Sequence, residues 1–200
     1  MAAEQQKVDL KKTLDGYAAR SGAFRIVEVP PQQYAMIDGH GDPNTSPQFT
    51  AAIEALYPVS YTLKFASKRH LDRDYVVMPL EGLWWSDDMR SFTVDRDKSQ
   101  WHWTLMILQP EWITRAMFND AVASAGVGGV RLETLDEGRC VQTLHVGSFD
   151  DEAETLAAMH DLFIPEAGLR MTGRHHEIYL SDRRRVAPER MRTILRQPVA

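Results

Sequence analysis

The 200-residue sequence predicts an α+β fold of duplicated strand-helix-strand-strand modules. Their antiparallel sheets would pair about a pseudo-twofold axis, with helices on one face and the opposite face free to form a central ligand cleft. Three observations carry this. Short alternating apolar/polar runs bounded by Gly, Pro and Asp are interleaved with longer stretches of helical apolar spacing. The order strand, helix, strand, strand occurs twice. At an offset of 106 residues Gly41 matches Gly147, Ala51-Ala52 match Ala157-Ala158 and Leu56 matches Leu162, the mark of an internal duplication. The organisation expected is a lead-in over 1–23, a first module over 24–125 and a second over 130–200, joined at Gly126–Gly129.

Gly22 ends the amphipathic lead-in. Phe24–Val29 alternates as a strand and stops at Pro30-Pro31, where two consecutive residues lack a ladder donor. Tyr34–Ile37 is a second strand, followed by the turn-rich Asp38–Pro47. Ser46-Pro47 opens a helix with an N-cap serine and proline at the first helical position. Phe49, Ile53 and Leu56 form its apolar stripe. Pro58 predicts a break, because proline removes a hydrogen bond and clashes with the preceding turn; helix should resume through Tyr61 and Phe65 to Lys68. Val76–Trp85 and Trp101–Leu108 read as strands joined by the polar loop Ser86–Gln100. Glu111–Ala125 reads as helix. Val130–Leu135 and Cys140–Val146 follow as strands around Asp136–Gly138. A helix over Asp151–Ile164 should end at Pro165 and Gly168, before closing strands at His175–Leu180 and Met191–Leu195.

Composition narrows the function. A net charge of −5 gives no electrostatic reason to expect nucleic acid. The basic run Arg183–Arg185 sits in an apparent turn and reads as a solvated loop. One cysteine, Cys140, excludes an internal disulfide and fits a reducing compartment. The N-terminus has no apolar signal core, and no stretch approaches the ~20 apolar residues of a membrane span. A cytoplasmic protein without membrane contact is the expectation. No GxSxG, HExxH, CxxC or P-loop sequence occurs. Of the seven histidines only His175-His176 are adjacent, and neighbours on a strand point to opposite faces. Neither a metal nor a cofactor is expected.

The chemistry-bearing residues lie in PLEGLWW (Pro79–Trp85) and HEIYLSD (His176–Asp182). Each places a carboxylate, Glu81 or Glu177, in an extended segment beside aromatic side chains. An unpaired carboxylate in such a hydrophobic setting is costly, so each should face water or a polar cavity. Period-2 alternation separates His176, Ile178 and Leu180, expected against the helices, from His175, Glu177, Tyr179 and Ser181, expected at the cleft. Trp84, Trp85, Trp101 and Trp103 cluster on two strands, where stacking on a planar or cationic ligand competes with plain core packing.

The segments VDLKKTLDGY, MIDGHGDPNTS, EALYPVSYTLKF, DYVVMPLEGLWW, WHWTLMILQPEWI and TGRHHEIYLSDRRRVAPERMRTILRQPV together resemble the GyrI-like small-molecule-binding family over nearly the whole chain. The resemblance implies a duplicated strand-helix-strand-strand fold. It also implies binding of lipophilic, aromatic or cationic molecules against a cleft glutamate. Glu177 matches that glutamate by position, and Tyr179 with Trp84 and Trp85 matches the aromatic walls. Standalone relatives include hydrolases that open the cyclopropane ring of DNA-alkylating natural products. On that reading Glu177 is the general base and Tyr179 assists. Glu81, Trp84, Trp85, Trp101, Trp103, Tyr61 and His175 line the ligand site. Glu81 competes with Glu177 for the base unless its strand turns it outward. A binding-only multidrug module and a topoisomerase-interacting protein are the alternatives.

Overall fold

The computed structural model describes residues 7–87, 97–182 and 184–200. Parts of the lead-in, the Ser86–Gln100 loop and the Arg183–Arg185 cluster lie outside them. In chain order the strands are β1 (Arg25–Val29), β2 (Gln32–His40), β3 (Glu81–Trp85), β4 (His102–Leu108), β5 (Arg131–Leu135), β6 (Gly138–Val146), β7 (His175–Tyr179) and β8 (Arg192–Pro198). The main helices are α1 (Pro47–His70), α2 (Arg115–Ala125) and α3 (Glu152–Ala157). This is the antiparallel α+β class expected, and the sequence β2-α1-β3-β4 is repeated as β6-α3-β7-β8.

The chain divides into two compact units. The first comprises residues through Thr13, Gln32–Met78 and Trp85–Leu135. In it β2 is the central strand, paired with β4 on one side and β5 on the other. α1 runs unbroken through Pro58, contrary to the break that proline predicts. The lost hydrogen bond is outweighed by burial on both sides of it, since Leu56, Val59 and Leu63 are fully inaccessible and tertiary packing overrides local propensity. α2 starts at Arg115 rather than Glu111, because the Thr114 hydroxyl accepts from the Met117 N–H at 3.2 Å and caps the helix there. Gly126, at φ 66°, terminates it.

Trp103 is buried in the core of this unit. Its ring meets Phe49 edge-on at 5.2 Å and lies across Gly39, where an added Cβ would come within 1.9 Å of it. Only glycine permits that approach.

The second unit comprises Leu14–Pro31, Pro79–Trp84 and Asp136–Ala200, with strand order β1-β6-β8-β7-β3. Every pairing among these strands is antiparallel. β7 is interior, with β3 and β8 as neighbours. β3 begins at Glu81 rather than Val76, as Pro79 has no N–H to give a ladder. α3 continues into a π-helical turn over Ala158–Phe163 and a closing α turn over Ile164–Glu166. Met159 and Ile164 pack with Val141, Leu195 and Val199 as the core. Cys140 is buried, and burial pushes its thiol up to about 12.

Candidate functional site

Strand register in the second unit sorts its polar residues onto two faces. Paired residues of antiparallel neighbours share a face. Glu81 pairs with Ile178, and His176 with Arg196. Gly82 pairs with Glu177, Trp84 with His175, and Tyr179 with Thr193. Leu195, the partner of Glu177, belongs to the core beneath Met159 and Ile164. The Glu177 face is therefore the one that α3 and the π turn cover.

This reverses the expected assignment, in which His176 and Ile178 met the helices. The alternation itself is present, with His176 and Ile178 buried and His175, Glu177 and Tyr179 partly exposed. Buried histidine 176 reads as a helix-facing core residue in sequence, but its partners are charged groups on the other face.

On that other face Glu81 is fully buried, not outward-facing. His176 Nε2 lies 2.9 Å from Glu81 Oε2, and Nδ1 lies 2.9 Å from Glu137 Oε1. Arg196 donates to Glu137 Oε2 at 2.8 Å, to Gln142 Oε1 at 3.1 Å and to the Gly16 carbonyl at 2.6 Å. The Tyr17 hydroxyl donates to Glu81 Oε1. Burial pushes Glu137 upward, but His176 and Arg196 overcome it and hold the carboxyl down at about 2. Burial disfavours the His176 cation, yet Glu137 and Glu81 raise its pKa above the ordinary value. Two carboxyls thus meet an imidazole and a guanidinium, and the hydrogen-bond network is closed.

The Glu177 face is built differently. Trp84 Nε1 donates to the Tyr179 hydroxyl at 3.0 Å, and that hydroxyl donates to Glu177 Oε2 at 2.7 Å. A Cβ at Gly82 would lie 2.8 Å from Trp84 Nε1 and 3.1 Å from the Tyr179 oxygen. The glycine opposite Glu177 therefore lets this chain of donors assemble. His175 Nε2 lies 3.5 Å from Glu177 Oε1, and the two side chains are 15% and 14% exposed. The ring of Phe149 meets Tyr179 edge-on at 5.6 Å, and that of His160, carried on the π turn, meets His175 at 5.8 Å.

Glu152, in the first turn of α3, is buried on the same side and lies near Thr193, the register partner of Tyr179. Burial, with Glu177 second, pushes its carboxyl up to about 10. Burial, then the charge of Glu177, raises Tyr179 well above the usual phenol value, so the phenol stays neutral. Burial, then His175, lowers His160 to about 4. Glu152 Oε1, His160 Nε2 and both ring nitrogens of His175 are buried without a protein hydrogen-bond partner. Among the described residues these are the buried side-chain polar atoms so left, and all belong to this one face. Unpaired buried polar atoms are costly; their concentration marks the place where a polar ligand gains most.

Of the residues expected at the site, Glu177, Tyr179, Trp84 and His175 come together here. Glu81 joins the opposite face. Trp85, Trp101, Trp103 and Tyr61 belong to the first unit. There Trp85 stacks on His102 at 5.6 Å, and Lys98 lies over the Trp101 ring at 5.7 Å. Tyr61 is half-exposed on α1 between Tyr57 and Phe65. Glu152 and His160 are not among the expected site residues, although the helix expected over Asp151–Ile164 carries both. The signal was there: Glu152, Leu156 and Met159 stand at i, i+4 and i+7, one stripe of the helix. Among the described residues no group of three or more His, Cys, Asp or Glu is placed to hold a metal ion, and no helix is long and apolar enough to cross a membrane.

The chain is similar to several solved structures. An uncharacterised conserved protein from Listeria innocua shares 40% identity with a TM-score of 0.88, over 97% of this chain and 100% of the other. A hydrolase from Listeria innocua shares 37% identity with a TM-score of 0.85, over 98% and 100%. A further Listeria innocua hydrolase shares 38% at 0.82, over 97% and 100%. The EcmrR C-terminal domain, at 11% identity and a TM-score of 0.57 over 89% and 97%, shares the fold alone. A search of curated proteins returns no match. The model of the GyrI-like small molecule binding domain matches residues 23–200. The chain belongs to the GyrI-like small molecule binding domain family.

Proposed function

We propose that the protein is a hydrolase that adds water across the strained cyclopropane of a planar, aromatic, DNA-alkylating natural product, with Glu177 as general base. The observation that carries this is the Trp84–Tyr179–Glu177 hydrogen-bond chain. Tyr179 pins one carboxylate oxygen and leaves the other to meet water. A base so held needs little reorganisation when it accepts a proton. The full-length similarity to two hydrolases supports the same reading. A cyclopropane fused to a cyclohexadienone is opened when water attacks its methylene carbon; Glu177 takes the proton that the attacking water loses. Trp84 and Phe149 supply aromatic surface beside the reacting groups. Tyr179 is a positioning group, since its own proton is committed to Glu177.

The test is incubation of purified protein with a cyclopropyl-indole alkylator, followed by mass spectrometry for a product heavier by one water. Glu177→Gln keeps the shape and should lower turnover by ~10²–10⁴-fold, with affinity for a neutral substrate nearly unchanged. Full turnover in Glu177→Gln would falsify the assignment of the base. Tight binding by wild type with no hydrated product would replace the hydrolase reading with a binding module.

A further inference from the structure

We infer that Glu152 is the acid of this reaction: its buried carboxyl delivers a proton to the substrate's carbonyl oxygen as the ring opens. The site accordingly takes neutral substrates bearing a hydrogen-bond-accepting carbonyl. The inference rests on the hydrolase reading and adds to it the source of the second proton.

Ring opening needs two proton transfers. The water oxygen bonds to the cyclopropane carbon while one of its protons passes to Glu177. The ring C–C bond breaks, and its electron pair moves through the dienone to the carbonyl oxygen, which becomes a phenol by taking a proton. The product has gained one water, Glu177 holds a proton and Glu152 has lost one. Exchange with solvent resets both.

Few groups on this face have a proton to give. Tyr179 donates to Glu177 at 2.7 Å. His160 is held neutral by burial and by His175, and a neutral imidazole is a poor acid. Glu81 is sealed on the opposite face. Glu152 meets each requirement. It is 4% exposed, and its Oε1 has no protein partner. Thr193 lies close enough to lower its pKa and would stabilise the carboxylate left after transfer. Glu177 and Tyr179 on β7 face it, with Asp150 from the preceding turn. His175 lies beside Glu177, His160 meets the His175 ring, and His145 on β6 reaches Thr155, one turn along α3. Burial and the Glu177 charge keep the proton on Glu152 up to about pH 10. Two carboxyls whose surroundings drive them apart in acidity are suited to act as an acid and a base.

The experiment compares wild type with Glu152→Gln, which replaces a neutral acid by a neutral amide of the same shape. Hydration of the alkylator should slow by ~10²–10⁴-fold with binding nearly unchanged. The alkaline fall in the wild-type rate should disappear from the residual activity. The variant should also melt higher than wild type at neutral pH, because a native state that retains its proton loses stability between pH 4.5 and about 10 as the unfolded chain ionises. A merely structural glutamate would show the reverse, a lower melting temperature. Infrared difference spectra of wild type against the variant should show a protonated carboxyl band at neutral pH; its absence overturns the proposal whatever the turnover. If wild type hydrates the alkylator and Glu152→Gln matches it at every pH, Glu152 is not the acid and the hydrolase reading stands. If wild type yields no hydrated product, both fall together.

Discussion

The two faces of the second unit's sheet carry nearly the same chemistry, carboxylates beside histidines, and resolve it in opposite ways. On one, Glu81, Glu137, His176 and Arg196 bond one another, and Tyr17, Gln142 and the Gly16 carbonyl take up further hydrogen bonds. On the other, Glu152 Oε1, His160 Nε2 and both His175 nitrogens have no protein hydrogen-bond partner, and His175 Nε2 only approaches Glu177 to 3.5 Å. A buried charge whose partners are all supplied by the protein has nothing left to offer a ligand. An incomplete set is tolerated where something else completes it. Satisfaction, rather than the identity of the residues, separates the glutamates of the closed network from those we propose act on a ligand.

The comparison breaks most readily at Arg196. Replacing it with Met leaves Glu137 buried with only one of its two cationic partners and should destabilise the protein by ~3–5 kcal/mol, read by chemical denaturation. Turnover per folded molecule should hold, because the Glu177 face is untouched. If turnover collapsed in molecules that remain folded, the two faces would not be independent.

Acid and alkaline stability should respond to opposite faces. Glu137, depressed to about 2, contributes stability that is present above pH 4.5 and lost as pH falls toward 2. Glu152, raised to about 10, favours the fold below pH 4.5 and withdraws that support as pH climbs. Glu137→Gln should therefore flatten the acid side of the stability profile, and Glu152→Gln the alkaline side. Glu81→Gln should cost less, ~1–3 kcal/mol, and leave the hydration rate unchanged. The smallest effect belongs to Trp84→Phe. It removes the N–H that Tyr179 accepts, worth ~0.5–1.5 kcal/mol, and should lower the rate by up to about tenfold without shifting its pH dependence.

Much of the fold was legible because periodicity and punctuation agreed. The alternation of HEIY marked β7 and its two faces, and Ser46-Pro47 marked the start of α1. What failed were choices made by partners distant in sequence. Nothing local says that His176 will meet Glu81, 95 positions earlier, or Glu137, 39 positions earlier; without them its alternation partners Ile178 and Leu180 suggest a helix-facing side. Pro58 carried a correct local penalty that burial of Leu56, Val59 and Leu63 overrode. Glu177 and Tyr179 were readable from one strand, as residues two apart share a face. Glu152 lies on a helix that was expected, but its place against β7 and β8 depends on tertiary packing that the local sequence does not show.

The π turn at Ala158–Phe163 has a consequence for how this chain tolerates changes in length. Its i→i+5 closure holds one residue more than an α turn, as the bond from Ile164 N–H to the Met159 carbonyl shows. A single-residue deletion within it can relax to ordinary α-helix, so that flanking Leu156 and Ile164 still reach the sheet. The same deletion in the middle of α1 would rotate every later side chain by about 100° and pull Leu63 from its core. The turn is thus the place in the chain where losing one residue should re-aim His160 and leave the architecture standing.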